Sequence, residues 1–137
     1  MASLACCSRP GISATLPIEL RGLHAAVAVV TIAVAVLAAA GGGLAYRRRR
    51  APGRALSQVL VLAQTLMIGQ VALGLLLLSD ERRAGDDLHY VYGTLALGAV
   101  LSPWMYAPSE PRRRLLWFAG ATLLAAALAV RAYTTGG

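Results

Sequence analysis

The sequence predicts an all-α protein, an integral-membrane four-helix bundle running up-down-up-down. Three observations carry this expectation. The chain is apolar, with a mean hydropathy of +0.64 and 58% hydrophobic residues. Four apolar runs, about 20–46, 55–79, 87–109 and 112–134, approach or exceed the length needed to cross a ~30 Å hydrocarbon core at ~1.5 Å per residue. The charges cluster in the short joins between these runs. Little chain remains outside them, so residues 18–137 are expected to form one four-span transmembrane domain behind a short outer tail, 1–17.

The tail lacks the apolar stretch of a cleavable signal peptide. Its adjacent Cys6 and Cys7 would strain an internal disulfide, and read as surface thiols. The first span, after Pro17, is Ala-, Val- and Leu-rich on all sides, as suits a helix that meets both lipid and protein. Gly41-Gly42-Gly43 is expected to loosen its far end. The second span carries Gln58, Gln64, Thr65 and Gln70. A buried amide in lipid must find a partner, so Gln64 and Gln70 are expected to point inward. Gln70 shares a face with Gly74. For Gln70, interhelical adhesion and a hydrogen bond to a cofactor are both open.

The third span opens Asp86-Asp87-Leu88-His89-Tyr90-Val91-Tyr92-Gly93. Its aspartates suit a helix start. Gly93 lies one turn after His89 on the same face and would leave a flat gap beside the imidazole. Tyr90, Tyr92, Trp104 and Tyr106 read as interfacial aromatics, and Pro103 is expected to kink the helix near its end. The fourth span, opened by Pro111, reaches full length if its flanking arginines snorkel to the headgroups.

Orientation follows from arginine, which supplies all 13 basic residues. The join between spans one and two holds Arg47 to Arg50 and Arg54, and that between three and four holds Arg112 to Arg114. The remaining join dilutes Arg82 and Arg83 with Asp80, Glu81, Asp86 and Asp87. Arginine-rich short loops stay in the cytoplasm. The expected location is therefore the cell membrane, multi-pass, with both termini outside. This topology accounts for the net charge of +7 without invoking nucleic acid as a partner.

His24 and His89 are the only histidines, and each stands at the outer start of an odd-numbered span. Odd spans run in one direction, so both imidazoles are expected at one depth. Ionisable groups within spans are functional candidates, and this pair suits the two axial positions of a haem iron held in a bundle core. A zinc site would be short of ligands unless Asp86 and Asp87 turned inward. Arg21, one turn before His24, and Arg131, closing span four at the same surface, are expected to face the haem propionates.

Gln70-Val71-Ala72-Leu73-Gly74, the leucines that follow, a short outer loop and His89 resemble one four-helix half of the haem A synthase family. The likeness is clearest over residues 55–100, and in it His24 takes the place of the half's first histidine. The resemblance implies a haem-binding site at the outer end of the bundle, and the half length implies either a homodimer that rebuilds the full-size architecture or a haem-binding relative that only carries electrons. The family has a carboxylate three residues before the first histidine and an arginine directly after it, where this chain has Arg21 and Ala25. That carboxylate is linked to oxidation of the haem methyl group, so its replacement points away from synthase activity.

The expected function is a small b-type haem protein, with haem b ligated by His24 and His89 and with Gly93, Gln70, Arg21 and Arg131 around it. Its expected role is electron transfer or haem handling. Two imidazoles close the iron's coordination, so no catalytic residue is assigned; an enzymatic role would be oxidoreductase chemistry on haem. The implied partners are the lipid bilayer and a membrane redox partner or quinol. The alternative is a membrane subunit or assembly factor without a cofactor.

Overall fold

A computed structural model describes residues 16–50, 52–79 and 84–136 of the chain. Cys6, Cys7 and the Asp80–Arg83 segment lie outside these residues. Four helices follow in order: α1 (Leu16–Arg47), α2 (Arg54–Ser79), α3 (Leu88–Tyr106) and α4 (Pro111–Thr135). The described chain is an all-α bundle. α1, α2 and α4 are long and apolar enough to cross a membrane. α3, at 19 residues, is shorter and diluted at both ends by His89, Tyr90 and Tyr92, and by Trp104 and Tyr106.

Helix α1 packs on α2 and α4, and α3 packs mainly on α4. The α2–α3 seam is slimmer, and α1 and α3 stand across the diagonal with their backbones apart. The interior is built from small side chains. Ala35, Ala38, Ala63 and Ala126 cluster with Leu60 and Leu115, and Ala96 and Ala125 cluster with Met67 and Val100. Large aliphatic residues face outward instead, Leu37 being 70% and Leu75 61% exposed. Lipid tails are as apolar as leucine, so burying leucine gains little there; close contact between small residues holds such helices together.

The glycine run at the end of α1 is part of this packing. α1 continues unbroken through Gly41-Gly42-Gly43 to Arg47, so the expected loosening does not occur. A Cβ on Gly42 would lie 2.7 Å from the Cβ of Ala119 on α4. The glycine is there because the two backbones approach closely. Beyond it α1 ends in a left-handed turn at Arg49 (φ 53°), with Arg50 N–H bonded to Ala45 O at 3.0 Å and Arg49 N–H to Tyr46 O at 3.1 Å. This is the Schellman arrangement.

The polar groups at the helix ends are also matched. Asp86 rather than Asp87 provides the side-chain acceptor at the start of α3, taking the Leu88 N–H at 2.9 Å. Helix α3 runs through Pro103. Proline lacks the N–H that would have reached the Ala99 carbonyl, and the Ser102 hydroxyl donates to that oxygen at 2.8 Å. Glu110 caps α4, its carboxylate accepting from Arg112 N–H at 2.9 Å and Arg113 N–H at 2.8 Å with Pro111 between. Those bonds, the Arg113 one foremost, hold its carboxyl below the usual carboxylate range. Arg112 then ties this end of α4 to α1, its guanidinium 4.6 Å from the Tyr46 ring centre and 3.3 Å from the Tyr46 carbonyl.

Candidate functional site

The bundle has an arginine end and a histidine end, and at the second all four helices meet around two imidazoles. His24 lies on α1 and His89 on α3, the diagonal pair. Their ring centres stand 6.2 Å apart with the planes at 62°, edge to face. Both side chains are partly buried.

Each imidazole is seated by a neighbouring helix. His89 Nδ1 lies 2.8 Å from the backbone carbonyl of Ala132 on α4. A carbonyl can only accept, so Nδ1 carries the proton and Nε2 keeps its lone pair. Gly136 makes the approach possible, since a Cβ there would come within 2.5 Å of Nδ1 and 2.9 Å of Cε1. Tyr90 packs edge to face on the same ring at 5.6 Å, and its hydroxyl accepts the Ala84 N–H at 2.8 Å.

His24 is seated by α2. Gln70 Nε2 donates to the His24 carbonyl at 2.9 Å and lies 3.1 and 3.2 Å from the ring's Nδ1 and Nε2. A neutral imidazole has one acceptor nitrogen, so only one of these ring contacts can be a hydrogen bond. The carbonyl also settles the amide's orientation, because the flipped amide would set two acceptors against each other. Gln70 Oε1 is left buried and without a partner among the described residues. One turn on, a Cβ at Gly74 would touch His24 Cε1 at 3.4 Å.

A Cβ at Gly93 would meet nothing within 4 Å, so space remains one turn below His89. Arg131 is exposed, with its guanidinium 5.8 Å from the Tyr92 ring centre. Arg21 is exposed one turn before His24. Among the described residues no three or more His, Cys, Asp or Glu side chains gather as a metal-binding group. The donor set is therefore two imidazoles. That falls short of zinc's usual four protein ligands, and fits an iron whose other positions belong to a macrocycle.

Two parts of this arrangement lay outside sequence reasoning. The Ala132 carbonyl is a backbone acceptor and leaves no mark in residue type. Gly136 did leave a signal, a glycine just past the last turn of a helix, but that position usually indicates a C-cap. Comparison with protein-family models, with curated proteins and with solved structures gives no match for this chain.

Proposed function

We propose that the chain is a small membrane haem protein in which His24 and His89 ligate the iron of haem b, serving electron transfer or haem handling. The observation that carries this reading is the paired imidazoles. With metal–nitrogen bonds of about 2 Å, two rings on opposite sides of one metal have their centres roughly 6 Å apart, and these stand at 6.2 Å. The Nδ1–H bond from His89 to Ala132 O is the second support. A ligating histidine characteristically donates its other ring N–H to a carbonyl or carboxylate, which holds the tautomer and orients the free nitrogen.

In this reading Gln70 holds His24 through its backbone carbonyl, and the contact of its NH2 with the ring gives way to iron, because a ring nitrogen that accepts the amide hydrogen has no lone pair left for the metal. Gly74 and Gly136 keep side chains away from the imidazoles, Gly93 leaves open space one turn along α3, and Arg21 and Arg131 supply cations for the cofactor's carboxylates. The bound group would supply one-electron redox chemistry, and the chain's own task is to hold two neutral imidazoles at one depth. The resemblance to half of a haem A synthase belongs to the same proposal, as does a homodimer. So does the fourth span: α3 at ~1.5 Å per residue covers about 28 Å and packs along α4. The Arg-rich joins then face the cytoplasm in the cell membrane, with the histidines and both termini outside.

The test is spectroscopic. Protein purified in detergent after expression with haem supplied is expected to show the sharp bands of a six-coordinate b-type haem. His24→Ala and His89→Ala should each lose most of the bound haem. A colourless wild-type protein would leave the imidazoles as interhelical contacts of a cofactor-free membrane subunit, and two variants with unchanged haem spectra would overturn the ligand assignment.

A further inference from the structure

Most of the chain's arginines gather at one end of the bundle, Arg47 to Arg50 and Arg54 around the first join and Arg112 to Arg114 after the last. The fold brings the two groups together. The Arg112 guanidinium lies 4.6 Å from the ring centre of Tyr46 and 3.3 Å from its carbonyl, and Tyr46 directly precedes the Arg47–Arg50 turn. Arg114 lies 5.5 Å from the Phe118 ring centre. The remaining guanidiniums of the cluster meet no acceptor and no ring among the described residues. The only carboxylate in either join is Glu110, and its oxygens accept from the backbone N–H groups of Arg112 and Arg113.

One of these arginines is also held against the preference of its backbone. Arg49 takes the left-handed position of the turn that ends α1, with φ 53°. Glycine is usual there, because a side chain crowds the neighbouring peptide. Like charges on adjacent turns repel as well. A cation kept at a strained position, among other cations and short of carboxylates, calls for an anion from outside the chain.

Position identifies that anion. The apolar stretches of α1 and α2 end and begin at Arg47 and Arg54, and that of α4 begins at Pro111. The joins, residues 48–53 and 107–110, are short, so the guanidiniums stay at the level of the headgroups. Trp104, Tyr106 and Trp117 are exposed at the same end, as aromatic residues are at a membrane interface. The anion at that level is lipid phosphate, which the planar fork of arginine matches with paired hydrogen bonds. A zwitterionic headgroup brings its own cation, which these arginines repel; a net negative one does not. We infer that the arginine end binds anionic phospholipid, its headgroup held across the Arg47–Arg50 turn and the start of α4. Basic clusters at the end of a span hold anionic headgroups in this way. A nucleic acid would need a patch standing clear of the membrane. The inference depends neither on haem nor on which side of the membrane this end faces.

The experiment reconstitutes the full chain in bilayers whose two leaflets share one composition, so orientation does not enter. Both tryptophans, Trp104 and Trp117, lie at the arginine end and report locally. Phosphatidylglycerol and phosphatidylcholine bearing the same dibrominated acyl chain are compared on one preparation, so quenching by any bound haem cancels. At equal mole fraction the anionic lipid is expected to quench more, with a relative binding constant of about tenfold. Arg49→Gly should lower that preference about two- to fivefold, the effect of one charge near a membrane surface. Its melting temperature should equal or exceed that of wild type, because the turn favours glycine. Arg48→Gln, Arg50→Gln and Arg113→Gln together should bring the ratio close to one while circular dichroism shows an intact helical fold. Equal quenching by the two lipids in wild type, or a preference unchanged in Arg49→Gly or in the triple variant, would overturn the assignment. So would loss of the preference on adding inorganic phosphate or a short RNA at matched ionic strength, since the patch would then hold a soluble anion.

Discussion

At the histidine end the chemistry depends on which residues lack a side chain. Gly136 and Gly93 look alike in the sequence, but their surroundings are opposite. A methyl group at Gly136 would press on His89 Nδ1 and Cε1, whereas one at Gly93 would enter open space. Gly136→Ala is therefore expected to break the His89–Ala132 bond and to lower haem retention toward the level of His89→Ala. Gly93→Ala should leave thermal stability within about 0.5 kcal/mol of wild type, as substitutions without a clash do, and reduce haem binding only through the space it fills. Absorbance per mole of protein, read beside the melting temperature, separates the two. Equal haem retention in Gly136→Ala and wild type would remove the glycine from the site. Gln70 shows the limit of residue type as a guide: that it points inward follows from its chemistry, but its grip on both the backbone and the ring of His24 follows from the meeting of α1 and α2.

At the scale of the helix, two ends can be tested. Glu110 caps α4 as a carboxylate, and its folded form binds a proton less readily than an ordinary glutamate. Its contribution is therefore present above the ordinary carboxylate range and lost as the pH falls through its lowered folded value. Glu110→Gln should melt below wild type at neutral pH, with the difference closing in acid; a gap that stays constant with pH would mean the charge is not its source. The second case is the contact of α1 with α4 at Gly42. Gly42→Leu should destabilise the bundle by about 1–3 kcal/mol, the usual cost of overpacking, measured by unfolding in mixed micelles. The Gly41–Gly43 run suggested a loose end because glycine lowers helix propensity. Packing against Ala119 outweighs that preference, and Gly43, beside which a Cβ would meet nothing, is the position that can test it without a clash.

For the whole molecule, orientation is the decisive property. The arginine end and the histidine end are separated by the length of the bundle, and a membrane turns that separation into two compartments. Tags on either terminus should be reachable by impermeant reagents on intact cells, and a cysteine placed in the Arg47–Arg50 turn should not. The reverse pattern would put the imidazoles on the cytoplasmic side and remove the grounds for linking them to redox partners outside the cell.

The all-helical class and the four helices were legible in the sequence because uncharged runs of span length admit few other structures, all backbone groups having to be satisfied within the segment. That His24 and His89 lie toward the N-terminal ends of odd-numbered helices was equally plain, although α1 begins two turns before His24, at Leu16. The rest depended on lateral arrangement, which a hydropathy pattern does not encode. Leucine and alanine alternate all round these helices, so the pattern did not say that alanines would form the interior, that α2 would meet α3 only along a slim seam, or that Gln64 would sit deep in it. Nor did it reveal the seat of His89, because its acceptor is the main chain of Ala132 and every residue carries the same carbonyl. Position along each helix axis was largely readable from the sequence, because charged residues mark where the apolar runs end. Position around each helix axis was decided by the tertiary structure alone, because lipid and protein interior are nearly the same solvent and only close packing tells them apart.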